Sequence, residues 1–418
     1  MLNLNKMNSL FFFDSSNNKK YFWQELIDQI HDSKEFNPFC KSDDYFEVFK
    51  QIVISILLEE KITLLDSDFS HEEIFKLTGL EDYKSLQKGI DKTKLKHIST
   101  KSDLIRELKN CSDQWEITLY TSGTTGLPKS VTHKFQSFTR YVKISESNSN
   151  NVWGFAYNPT HMAGLQVFFQ ALMNGNSIIR LFELPNDIIL SNIQEFNITH
   201  ISATPTFYRL LDLKTKTFPS VLRIISGGEK IDLNKIRELN KAFINAEIRN
   251  VYASTEAGTL FASQGDQFSI RNELKNFVKL VENELHIHKS LLGQSGFLSD
   301  EWYASGDLVE IINQDPLVFK FLSRKNEMIN VAGYKVNPNE VEEVIREING
   351  VNEVSVFAKK NSVIGNIICC EIVKGSEELT EADIRKYLQS KLQEFKLPRI
   401  IKFVSQIKTT RTGKLKRK

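Results

Sequence analysis

Apolar residues recur along this chain at two spacings, and the spacing changes by region. In "YFEVFKQIVISILLEE" they fall three and four apart, which predicts an amphipathic helix. Short helical patterns of that kind alternate with polar stretches as far as about residue 110, and no motif with chemistry stands out among them. "WEITLY" then alternates strictly, as a half-buried strand does, and runs straight into "TSGTTGLPKS". From residue 150 to 260 the two periods take turns. "NDIILSNIQEFN" reads as a helix, "ITHISAT" as a strand, and "PTFYRLLDL" as a helix with Pro205 near its start. "VLRIISGG" and "EIRNVYAS" read as strands around the helix "DLNKIRELNKAF", capped by Asp232. The pattern next shortens to strands such as "ELHIHKS" and "LVFKFLS". Past "SRKNEM" lies a compact unit of about 90 residues, a common domain size. Its helices are "NPNEVEEVIREI" and "TEADIRKYLQSKL", the second opened by the capping-box pair Thr380 and Asp383. Its strands are "VNEVSVFAKK", "NIICCEIV" and "RIIKFVSQI".

Strand–helix alternation predicts an α/β fold with mainly parallel sheets covered by helices. The expected division is residues 1–325 as an N-terminal domain with a small β-rich subdomain, and residues 326–418 as a small α+β C-terminal domain. In such sheets ligands bind beyond the carboxyl ends of strands. Three strands here run into small polar residues: "LYTSGTTG", "IISGGEK" and "VYASTEAG". Their convergence is more telling than any one of them.

Composition narrows the picture. With 418 residues, 41% apolar and 25% charged, the chain is long enough for two or three domains with a large core. A net charge of +2 gives no reason to expect a nucleic-acid partner. The four cysteines, Cys40, Cys111, Cys369 and Cys370, show no C-x-x-C spacing, which fits a reducing cytoplasm. No apolar run is long enough to span a bilayer, and the N-terminus lacks the layout of a signal peptide.

"YTSGTTGLPKS" nearly matches a Walker loop begun at Gly123, but Pro128 stands where that motif needs its last glycine. Proline lacks an N–H and fixes φ, so a Walker nest is excluded. The loop is still rich in what a phosphate needs. Thr121, Ser122, Thr124 and Thr125 offer hydroxyls, Gly123 and Gly126 allow close backbone approach, and Lys129 adds a point charge.

Taken with "NPTHMAG", "SGGEKI", "NVYASTEAG", "YASGDL", "SRKNEMINVAGYKVNPNEVE" and "TRTGKLKRK", the loop makes seven ordered matches from about Leu119 to the C-terminus. In this the chain resembles the adenylate-forming superfamily, in a short form of the acyl- and aryl-CoA ligase type. The resemblance implies ATP and Mg²⁺ as cofactors and a small carboxylic acid as substrate. It implies acyl-AMP formation with loss of pyrophosphate, then transfer to a thiol. Coenzyme A is the expected thiol, and the phosphopantetheine arm of an acyl carrier protein is the alternative. A nucleotide-binding scaffold without catalysis is a reading from another class, motivated by Ser130, Ser323 and Asn326 at positions where the family usually differs.

The same resemblance assigns residues. Gly228, Glu229, Tyr252 and Thr255 fall in the adenine and magnesium segments, with Glu256 as ligand to a hard cation. Asp307 and Arg324 match ribose-binding positions. His161 lies where acyl- and aryl-activating relatives carry His or an aromatic. Lys414 is the candidate catalytic lysine, although a tail with five cations otherwise reads as exposed and solvated. Asn326 is the expected hinge of a mobile C-terminal domain. Gly333 is expected to line the channel for the thiol arm.

Overall fold

The computed structural model describes residues 9–111, 114–121, 128–213, 216–230, 233–296, 300–331, 334–361 and 365–417. An eight-stranded sheet forms its centre. Six strands run parallel in the order Glu247–Ser254, Arg223–Gly227, His200–Ala203, Val152–Phe155, Ser177–Arg180 and Leu10–Asp14. Gly258–Ser263 and Lys19–Phe22 close the two edges antiparallel. A second sheet carries Phe39–Lys41, Ile62–Leu65 and Glu116–Thr121 in parallel, with Lys129–Lys134 antiparallel at its edge.

The largest core cluster joins these two sheets through the helices Tyr45–Leu58 and Met162–Asn174. Phe49 and Phe168, one from each helix, stack at 4.4 Å. Asp44 starts the first helix by accepting from the Phe46 and Glu47 amides, which satisfies two otherwise orphan donors.

Two expectations need correction. The first 110 residues are not helical patterns alone. "LFFFD" is an inner strand of the large sheet, with Phe12 opposite Ile178. A strand buried on both faces is a continuous apolar run, so its period cannot be read. Second, the three polar strand ends do not leave one sheet. Two are neighbours in the eight-stranded sheet, whereas Glu116–Thr121 ends in the smaller one.

Residues 267–324 hold a five-stranded antiparallel sheet around its own core, which includes Leu285, Val309 and Phe319. Beyond the turn Lys325–Glu327 a separate core gathers Val336, Val341, Ile345, Val354, Ile372 and Ile384. It lies among the strands Val351–Asn361, Gly365–Lys374 and Ile400–Val404 and the helices Pro338–Arg346 and Glu381–Lys391. The Thr380–Asp383 capping box is present, while Asp232 lies outside the described residues. Among the described residues no helix is long and apolar enough to cross a membrane.

Candidate active site

The strand Arg223–Gly227 is followed by Gly228, whose φ of +86° favours glycine. The missing side chain leaves room for Lys414: a Cβ at Gly228 would stand 3.1 Å from Lys414 Cε. The C-terminal tail is therefore not a solvated end. Thr204 Oγ1 donates to the Gly413 carbonyl at 3.0 Å, and the Leu415 amide donates to Glu229 at 3.2 Å. Arg411 pairs with Asp68 at 2.6 Å and lies over the Phe69 ring. Lys414 is half-buried. Burial pulls its ammonium below the usual lysine value, and the Arg324 guanidinium pulls the same way, opposed by Glu229 and Asp307.

Asp307 faces Arg324 across an antiparallel ladder. One carboxylate oxygen takes Arg324 Nε at 2.9 Å and the other takes the Tyr252 hydroxyl at 2.6 Å. Each oxygen keeps a lone pair for a further donor, as two ribose hydroxyls would require. Tyr252 stacks on Phe321 at 4.3 Å. Burial and then Asp307 hold its phenol far above the usual range. Burial disfavours the Arg324 charge, yet Asp307 and Tyr252 raise its pKa on balance.

Glu256 follows the strand Glu247–Ser254 and is half-buried. Among the described residues its carboxylate makes no ion pair, and no three His, Cys, Asp or Glu side chains gather as metal ligands. One carboxylate suits Mg²⁺, which keeps most of its shell as water and substrate phosphate. Thr255 adjoins it, with its carbonyl held by His133 at 2.7 Å. Glu229 spends its carboxylate on the Thr206 amide and hydroxyl as well as on Leu415.

His161 is buried at the start of the helix Met162–Asn174. Its Nε2 lies 3.4 Å from Asp66 Oδ1 and has no hydrogen-bond partner among the described residues. Burial lowers its pKa; Asp66 opposes this, while Arg411 and Lys414 add to it. The imidazole is thus neutral near pH 7. Asp66, Asp68 and Glu73, which surround His161 and Arg411, come from a stretch without a chemical motif. The turn signal in "DSDFS" is the clue to the two aspartates, and the capping box that Glu73 forms with Ser70 is the clue to the third.

Lys129 opens its strand exposed, and Asn326 lies in the turn Lys325–Glu327. Thr121 ends its strand opposite Lys129. Ser122, Gly123, Thr124, Thr125, Gly126 and Gly333 lie outside the described residues.

Residues 50–279 match the family model for the AMP-binding enzyme, and residues 340–414 that for the AMP-binding enzyme C-terminal domain. The mitochondrial acyl-coenzyme A synthetase ACSM4 of Rattus norvegicus is 25% identical over 346 residues, covering 71% of this chain and 59% of that protein. The chain thus spans less than two thirds of that relative. The putative long chain fatty acid-CoA ligase VraA of Staphylococcus haemolyticus is 22% identical, covering 96% of this chain and 91% of its own. The o-succinylbenzoate CoA synthetase (MenE) of Bacillus subtilis, in complex with its acyl-adenylate intermediate, shares the fold. Its TM-score is 0.68 at 18% identity, over 99% of this chain and 95% of that one. ATP-bound MatB of Rhodopseudomonas palustris does so at 0.72 and 16% identity, with the same coverage.

Proposed function

The chain belongs to the AMP-binding enzyme family, and from that premise we propose that it is an ATP-dependent acid–thiol ligase. The observation that carries this reading is the docked tail. Lys414 reaches the Gly228 backbone within the field of Arg324, Asp307 and Glu229, so a cation meets the carboxyl ends of two parallel strands. In the first half-reaction a carboxylate oxygen attacks the α-phosphorus of ATP, and the bond to pyrophosphate breaks. Lys414 neutralises the charge gathering on the phosphoryl and carboxylate oxygens. Asp307 accepts from the ribose hydroxyls, and Arg324 fixes its orientation. The hydroxyls and amides of Thr121 to Gly126, with Lys129, grip the β- and γ-phosphates. A Mg²⁺ ion on Glu256 would supply Lewis-acid screening of phosphate charge. His161, neutral and buried, borders the acid's carboxylate.

The C-terminal domain then turns about Asn326. This withdraws Lys414 and brings the loop of Gly333 to the site. A thiol attacks the acyl carbon and AMP leaves. Coenzyme A is our assigned acceptor, in a reducing cytoplasm that suits the four free cysteines.

A panel of aromatic, short-chain and medium-chain acids, each with ATP and Mg²⁺, tests the reading. At least one class should raise pyrophosphate release well above the acid-free rate. ATP binding without release for any acid would make the chain a scaffold. Thioester formed with a holo-carrier protein but not with free coenzyme A would reassign the acceptor.

A further inference from the structure

Three consecutive peptide carbonyls around Glu256 are each taken by a different donor. His133 Nε2 donates to the Thr255 carbonyl at 2.7 Å, the Gly293 amide to that of Glu256 at 2.8 Å, and Arg140 Nη2 to that of Ala257. The Glu256 carboxylate makes no ion pair among the described residues, so these bonds hold the backbone from which it hangs.

The donors are costly ones. His133 is 1% exposed, and its Nδ1 has no partner among the described residues. Arg140 is a half-buried guanidinium whose Nε is likewise unpartnered there. A site filled for packing alone would use apolar side chains and avoid such orphan groups. Burial, with Arg140 adding to it, lowers the His133 pKa to about 4. The ring is therefore neutral, and its bond to a carbonyl places the one proton on Nε2. Gly293 completes the arrangement. A Cβ there would stand 2.6 Å from both His133 Cε1 and Val131 Cγ1, so only glycine lets its segment pair with Thr132 through two 2.8 Å bonds.

The origin of the donors matters more than their number. His133 lies on the strand Lys129–Lys134, which the segment 122–128 joins to Glu116–Thr121. Arg140 caps the short helix Phe135–Thr139 that follows. His133 thus belongs to a hairpin of the smaller sheet, and Arg140 to the helix that directly follows it. Glu256 hangs from the larger sheet. We infer that His133 and Arg140 are positioning residues that tie the Glu256 segment to the strand Lys129–Lys134 and the helix that follows it, and so hold the Glu256 carboxylate where it would bind the divalent cation that accompanies ATP. This rests on the proposed adenylating function.

The test is calorimetric. ATP is titrated into the full chain over a series from chelated to saturating Mg²⁺, and the Mg²⁺ needed for half-maximal ATP affinity is read. His133→Phe and Arg140→Met should each raise it about tenfold, as losses behind a metal ligand do. His133→Gln, which keeps a donor, should restore most of it. Neither His133→Phe nor Arg140→Met is expected to add to the defect of Glu256→Gln, because both act through that carboxylate. A folded variant with an unchanged Mg²⁺ requirement overturns the inference while leaving the ligase reading intact. So does a full tenfold rise in the Glu256→Gln background. If melting curves show both variants unfolded, the two residues are structural and the inference falls. Absence of ATP binding by the unaltered chain defeats the functional reading and the inference together.

Discussion

Lys414 holds its charge in an unfavourable place. Its ammonium is half-buried and feels the Arg324 guanidinium, so nearby anions stabilise it more than they would a solvated lysine. In the proposed reaction ATP and a carboxylate would bring that negative charge. Lys414→Ala is expected to slow acid-dependent pyrophosphate exchange by ~10²–10³, the usual worth of one transition-state charge donor. Thioester formation from pre-made acyl-AMP should largely survive. Equal loss in both half-reactions would make Lys414 a packing residue of the docked tail. Such residues are legible in sequence because each sits in a short motif, as Asp307 does in "YASGDL" and Arg324 in "SRKN". Asp66, beside His161, is not legible. Its partner is distant in sequence, and a lone Asp in a polar turn has no local signature. The docking of the tail is hidden for a related reason: composition reports charge, not what Thr204 and Glu229 bond to it.

Elements with a clean period can be read directly. "EIRNVYAS" is the strand Glu247–Ser254, and "NPNEVEEVIREI" begins the helix Pro338–Arg346 with its proline in the first turn. "LFFFD" cannot, because full burial erases the period. The inner strand His200–Ala203 illustrates the consequence for stability. His200 packs against Trp153 at 4.8 Å, and burial, aided by Arg223, lowers its pKa to about 4. The unfolded chain takes a proton near pH 6.5, so the native pKa is depressed. The stabilisation is complete above the unfolded value and is lost as pH falls toward the folded one. At about 1.4 kcal/mol per pKa unit, the loss is on the order of 2–3 kcal/mol. Urea midpoints taken between about pH 7 and about pH 4.5 should therefore fall less steeply for His200→Gln than for the unaltered chain. Identical slopes would show that His200 accepts its proton while folded.

At the scale of the whole molecule, ion pairs join the C-terminal domain to the rest of the chain. Arg209 donates to Glu353 at 2.7 Å between two buried side chains, and Lys230 meets Glu343 at 2.7 Å. A buried pair that must open would ordinarily strand its charges at a cost of several kcal/mol. Here each ion has a second partner on its own side. Arg209 lies 3.6 Å from Glu229, and Glu353 lies 3.3 Å from Arg346. Rotation about Asn326 would trade one partner for water and keep the other. Under the proposed rotation the contact would then set the balance between poses without locking it. Glu353→Gln removes the shared charge at constant size, and Arg346 still has Glu342 at 3.3 Å. A charged hydrogen bond is worth ~1.5–3 kcal/mol, so the docked pose should lose roughly tenfold in population. Pyrophosphate exchange should fall by about that factor, while thioester formation from acyl-AMP holds or rises. The melting temperature should drop only modestly, since both arginines remain paired. A parallel fall in both half-reactions, with a large drop in melting temperature, would make the pair part of the core rather than a contact between poses.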